Sequence, residues 1–254
     1  MPVTVTSADS LTTITIDRPE RANALDTATI GALHDAVVST YAREGQRVVV
    51  ITGGGARAFA AGADLGELGG FDSTRAERFI RSLHEAMQAV RDHPCPVIAA
   101  VNGTALGAGL ELVVACDIAI AADHARFGMP EVRLGVPSVI EAAMMPITIG
   151  LMRTRELLLT GDPIDAAEAH RIGLLNQVVP AAQLSTAIDT MAERLAQNAP
   201  NAVTLQKRLM NRWLDLPLHA GITEGITAFA AAYDTKEPAE RVTAFRSSRS
   251  EKAD

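Results

Sequence analysis

Three short runs limit what this chain can fold into: "RVVVIT" (47–52), "PVIAAV" (96–101) and "DIAIAA" (117–122) are apolar at nearly every position. A strand with one wet face alternates apolar and polar side chains, whereas a strand covered on both faces need not. The runs therefore predict inner strands of a parallel sheet. Between the first two lies a glycine-rich loop, "GGGARAFAAGADLGELGG", then residues 73–92 with Phe79, Leu83, Met87 and Val90 at helical spacing. Within the loop, Asp64 followed three positions later by Glu67 predicts a capping box. Upstream, "VTVTSADSLTTITID" alternates and turns at "SADS", a β-hairpin pattern, and Asp26 or Thr27 is placed to cap a helix reaching about residue 43. Downstream, "ARFG" and "NQVV" read as further short strands, and 138–149, 151–160 and 165–171 as helices.

From residue 181 onward every segment reads as helix: 181–197, 199–213, 217–232 and 235–247. Pro200 marks the best joint, dividing an α/β part, 1–197, from a helical part, 198–254. With 48% hydrophobic residues in 254, the chain can bury one large core.

Charge and cysteine content exclude several function classes. The formal net charge is −7, and no basic face is visible for a nucleic acid or an anionic membrane, so neither partner is expected. An anionic ligand would have to be held by local Arg and Lys or by backbone N–H groups. Cys95 and Cys116 form neither a disulfide framework nor a metal pattern, and a reducing cytoplasm is the expected compartment. "MPVTVTSADS" predicts no signal peptide, and Asp117 interrupts the longest apolar run, "LVVACDIAIAA". "GGGARA" matches a permissive dinucleotide fingerprint, but Gly62, Gly66, Gly69 and Gly70 spoil the long helix it should open, which argues against a nicotinamide site. "HEAMQ" at His84 lacks the second histidine of a zinc helix, and His34, His93, His124, His170 and His219 stand singly.

The residue hardest to place is Glu111, the only charge in "NGTALGAGLELVVA". With residues 105–115 on a helix, nearly every side chain around it is apolar, so the helix is buried on all sides. The carboxylate then leans over Gly107 and Ala108, towards the first-turn N–H groups that lack helical partners. An acid beside free donors can handle an oxyanion and a proton together; an ion pair or a cap would be the structural alternative. Glu131 in "ARFGMPEVRLG" follows a proline that can open a helix, where an acid also simply complements the helix dipole. Glu141, in "PSVIEAAMM", either faces solvent or points into the same cavity.

Taken together, "AFAAGADL", "NGTALGAGLELVVACD", "ARFGMPEVRLG" and "LLLTGDPIDAAEAHRIGLLNQVVP" resemble the crotonase (enoyl-CoA hydratase/isomerase) superfamily, from about residue 18 to 180. The resemblance implies a spiral of ββα units with a C-terminal helical region that builds trimers, often paired as hexamers. It implies an acyl-CoA thioester as substrate, with no separate cofactor and no metal. Its oxyanion hole maps to the N–H groups of Ala63 and Ala108, and its two hydratase acids to Glu111 and Glu131. Contacts to substrate map to Ala61, Asp64, Leu65, Gly107, Ser138 and Glu141, and those to CoA to Arg21, Ala22 and Ala24, with Arg246, Arg249 and Lys252 as further candidates. Reversible hydration of a 2-enoyl-CoA is implied first. Double-bond isomerisation by Glu131 alone, or non-catalytic acyl-CoA binding, would use the same fold. The chain departs from the family at "VPSVIEAAMMPITIG", where many relatives carry a glycine-rich block and Ser138 stands in a glycine-like place. Met144 and Met145 are either an adaptable acyl wall or core packing.

Overall fold

The computed structural model describes residues 1–250, with side chains as far as Ser247. The hairpin is β1 (Val3–Ala8) and β2 (Leu11–Ile16), and α1 (Thr27–Ser39) starts at Asp26, whose carboxylate accepts the Thr29 N–H at 2.8 Å. Units of two strands and a helix follow. The first is β3 (Val48–Gly53) and β4 (Ala58–Ala60), with the short α2 (Leu65–Leu68) and the long α3 (Ser73–Asp92). The second is β5 (Val97–Val101), β6 (Thr104–Leu106) and α4 (Ala108–Ala115). The third, β7 (Ile118–Ala122) and β8 (Arg126–Gly128), runs into 3₁₀ turns at Pro130–Leu134 and Ile140–Met144, then α5 (Met145–Ile149) and α6 (Leu151–Thr160). Next come β9 (Ile164–Asp165), α7 (Ala166–Arg171) and β10 (Gln177–Val179).

The first strand of each unit joins a six-stranded sheet ordered β1-β2-β3-β5-β7-β10, and the second a four-stranded sheet ordered β4-β6-β8-β9. All neighbours from β2 to β10 are parallel, as are β4, β6 and β8. The chain thus moves one strand sideways in both sheets with each unit, which is a spiral of ββα repeats. The apolar runs are explained by cover on both faces of the large sheet. Val49, Ile51, Val97, Ala99 and Val101 join the core containing residues of α1, α3 and α4. Val48, Val50, Ile98, Ala100 and Ile120 pack instead with Leu184, Ile188 and Ala192 of α8 (Leu184–Ala196).

The remaining helices are α9 (Pro200–Asp215), α10 (Leu218–Ala232) and α11 (Glu237–Ser250). A buried lysine on α9, Lys207, ties it to the α/β part: its Nζ donates to Val90 O, Cys95 O and Asp117 Oδ2 at 3.1, 3.2 and 2.7 Å. Among the described residues no helix is long and apolar enough to cross a membrane.

Two local expectations are corrected. Residues 105–107 are not helical, because Thr104–Leu106 form β6 between β4 and β8, and Gly107 then turns with φ +51°. Asp64 does cap α2, accepting the Gly66 N–H, but Glu67 does not reach back to it. Its carboxylate takes the Thr27 N–H and hydroxyl instead, fastening α2 to α1.

Candidate active site

Two backbone donors stand side by side where β4 and β6 end. Ala63 follows Gly62, and Ala108 opens α4 after Gly107. Both glycines are left-handed, with φ of +96° and +51°, a conformation L side chains rarely adopt. A Cβ on Gly62 would also lie 2.9 Å from Leu106 O, and one on Gly107 would push aside the Glu131 carboxylate. The same Gly62 Cβ position is 3.7 Å from Ala108 N, so the two turns abut. Leu25 bonds to Gly62 O and to the Asp64 N–H but leaves the Ala63 N–H unused, and Ala108, at the first position of α4, has no helical acceptor. Among the described residues neither N–H is bonded. Ala63 and Ala108 line a cavity of about 650 Å³, together with Leu65, Leu68, Phe71, Phe79, Leu106 and Val139.

Glu111 and Glu131 line the same cavity. Glu111 sits one turn into α4 and is 4% exposed, and its carboxylate accepts the Ala142 N–H at 3.2 Å. No cation is bonded to it among the described residues, which removes the ion-pair alternative. Burial pushes its pKa up to about 8. The N–H groups of Ala142 and Val139 oppose that rise, and the nearby carboxylates of Glu131 and Glu141 add to it. Glu131, in the 3₁₀ turn after β8, is held from two directions: Ser138 Oγ donates to its Oε2 at 2.8 Å, and its Oε1 lies against Gly107.

The other expected contacts scatter. Ala61, Leu65, Gly107 and Ser138 line the cavity. Asp64 does not; it caps α2 and lies 3.4 Å from Arg18, which also bridges Asp26 at 2.9 Å. Arg21, Ala22 and Ala24 form the loop running along residues 61–64, where Ala61 N–H donates to Ala22 O, but they do not line the cavity, and Arg21 is exposed. Glu141 is buried and turned away from the cavity, with its Oε1 3.0 Å from His84 Nδ1 and 3.9 Å from Arg91 Nη1. Burial raises its pKa, while His84 and Arg91 hold it down. Met145 is core and Met144 packs against it, so this pair is not an acyl wall. Arg246 lies exposed on α11; Arg249 falls on the same helix with its side chain outside the described residues, and Lys252 lies outside them altogether.

Two contributors escape the motifs. Asn23, fully buried with φ +57°, donates through Nδ2 to Gly54 O and Ala58 O and shapes the loop beside Ala63. A left-handed asparagine after "RPERA" was the available signal. His84 lacks zinc spacing, and its partner Glu141 lies 57 residues away in sequence, so no local motif marks it.

Comparison with known proteins agrees with this arrangement. Residues 6–252 match the family model described as enoyl-CoA hydratase/isomerase. The short-chain-enoyl-CoA hydratase of Clostridium acetobutylicum is 34% identical over 234 residues, covering 91% of this chain and 89% of its own. The crotonyl-CoA hydratase of Syntrophomonas wolfei is 34% identical over 238 residues, covering 93% and 92%. The crystal structure of an enoyl-CoA hydratase from Bacillus anthracis superposes with a TM-score of 0.93 at 34% identity, over 98% of this chain and 97% of that one.

Proposed function

The chain belongs to the enoyl-CoA hydratase/isomerase family, and from that premise we propose that it adds water reversibly across the C2=C3 bond of a 2-enoyl-CoA thioester. One observation carries the reading: two carboxylates and two unbonded backbone N–H groups open onto one apolar cavity. In this reading the thioester oxygen accepts from Ala63 and Ala108, whose donors are fixed before substrate arrives and so stabilise the enolate without reorganisation. Glu111 takes a proton from water as the hydroxyl oxygen bonds to C3, and Glu131 delivers a proton to C2. The two acids then return to their starting states by exchange with solvent. Burial and the neighbouring carboxylates raise the pKa of Glu111 towards neutrality, which suits a group that must take up and release a proton in each turnover. CoA enters as part of the substrate.

The test is a panel of short, long and aromatic enoyl-CoAs, monitored for loss of conjugated-thioester absorbance, with wild type beside E111Q and E131Q. Hydration by wild type, abolished in both variants, is expected. Activity on a 3-enoyl-CoA that survives E111Q would replace this reading with isomerisation. Tight thioester binding without turnover across the panel would replace it with a binding role.

We also propose self-association through the C-terminal helices. Leu218, Ile222, Ile226 and Phe229 on α10 and Tyr233 at its C-cap recur every three or four residues and are exposed. Such a stripe on a lone subunit favours burial against another copy. Light scattering should give a trimer or hexamer mass, and a monomer would refute this.

A further inference from the structure

Behind the proposed acid pair, outside the cavity, lies a second group of charges that the mechanism above does not use. Glu141 is 2% exposed. One of its oxygens faces His84 Nδ1 at 3.0 Å and Arg91 Nη1 at 3.9 Å, both on α3. Its other oxygen and Arg91 Nε are buried with no hydrogen-bond partner among the described residues. The 3₁₀ turn carrying Glu141 is also strained. Ile140 has φ +40°, a region in which a β-branched residue is a true outlier and persists only when its surroundings impose it. The same turn carries Ala142, whose N–H bonds both Val139 O at 2.9 Å and Glu111 Oε1 at 3.2 Å.

Resting on the hydratase reading, we propose that Glu141 is a positioning residue for Glu111: held on α3 by His84 and Arg91, it imposes the strained turn that brings the Ala142 N–H to the Glu111 carboxylate. A side chain present only to fill the core would be apolar here, because a carboxylate with one unsatisfied oxygen is costly to bury. His84 is the accessible end of the arrangement, its side chain 45% exposed next to the cavity-lining Leu83. Glu141 also acts by its charge. The charged and titratable groups around it are His84 and Arg91 from α3 and Glu111 from α4; Glu111 in turn faces Glu131.

The experiment is a side-chain carboxyl NMR titration of the free protein, with E111Q identifying the Glu111 signal, beside steady-state kinetics on the best enoyl-CoA. E141Q removes a negative charge but keeps an acceptor for His84. It should lower the Glu111 midpoint by about half a unit or more while keeping kcat within about threefold of wild type. E141A loses the anchor, and its kcat should fall about tenfold with KM within about twofold. An unmoved Glu111 midpoint in E141Q, or full kcat in E141A, overturns the proposal. If E141A does not fold, H84A takes its place: a several-fold loss of kcat is expected, and undiminished kcat overturns the proposal. Because the titration needs no turnover, an inactive wild type whose Glu111 midpoint still responds to E141Q would refute the hydratase reading alone. An active wild type with an unresponsive midpoint would refute this inference alone.

Discussion

Two of the molecule's buried charges, Lys207 and Glu111, are treated oppositely. Under α9, Lys207 is 3% exposed and gives its three protons to two carbonyls and to Asp117 Oδ2, which also takes the Val97 N–H at 2.7 Å. Both signs are present and their hydrogen bonds are made. In α4, Glu111 is 4% exposed, receives a 3.2 Å hydrogen bond and has two further carboxylates as electrostatic neighbours. The first arrangement joins a helix to a sheet. The second leaves a carboxyl with a raised pKa one turn from an unbonded backbone donor, the arrangement that the proposed chemistry needs.

The strongest way to break this contrast is E111Q. Its kcat on an enoyl-CoA is expected to fall about 10³-fold, while the protein stays folded and gains stability at alkaline pH. With its pKa at about 8 in place of an ordinary 4.5, Glu111 keeps a proton in the folded protein that the unfolded chain has released. Stability attributable to this group therefore falls as pH rises through that window, by on the order of 4 kcal/mol across it. Denaturant melts between pH 5 and pH 8.5 should show the slope in wild type and its loss in E111Q. If Glu111 is the base of the proposed hydration step, kcat/KM should also climb towards pH 8 and then level off.

K207M tests the other side. Removing the buried ammonium takes the donor from Val90 O, Cys95 O and the partly exposed Asp117 carboxylate, and a stability loss of about 3 kcal/mol is expected, with kcat of the folded protein unchanged. Adding D117N to K207M, which removes the lone charge but keeps an acceptor for the Val97 N–H, should recover part of that loss in the same melts. A rate effect from K207M equal to its stability effect would erase the distinction between the two sites.

Third in size is A108P. Ala108 is the first residue of α4, where proline is tolerated because its N–H has no helical acceptor. The variant should fold normally and lose about 10²–10³ in kcat, the usual cost of one oxyanion donor. A wild-type rate would remove Ala108 from the proposed oxyanion hole.

The large sheet was legible because cover on both faces leaves apolar residues at successive positions, as in Val48–Ile51. β6 was not: three residues flanked by Gly103 and Gly107 carry too little pattern to be told from the helix that follows. Gly107 and Gly109 read as small residues admitting a ligand. Gly109 also lets α4 press on β4, since a Cβ there would collide with Ala60 O. Glu111 stood out because its neighbours in sequence are apolar. Lys207 did not, because "QKRLMNR" reads as a solvated helix face and its partners Val90, Cys95 and Asp117 are around 90 residues or more away in sequence. Glu141 was ambiguous for the same reason: only the fold brings α3 beside it.

The smallest effect is expected where the chain departs from its family. Ser138 donates to Glu131 Oε2 at 2.8 Å, and Oε1 lies where a Cβ on Gly107 would otherwise crowd it. S138A removes the hydrogen bond but keeps the space beside Gly107, so Glu131 should lose only part of its aim. A bond to a carboxylate in a cavity open to water is worth about 1 kcal/mol, or roughly three- to tenfold in kcat. KM should hardly change. The loss should be larger for solvent-proton exchange at C2 than for the overall rate, because in the proposed mechanism Glu131 serves that carbon while Glu111 serves the water. Measuring deuterium incorporation alongside hydration separates the two steps. If S138A raises KM and leaves exchange intact, Ser138 belongs to the acyl wall, and the aim of Glu131 depends on Gly107 alone.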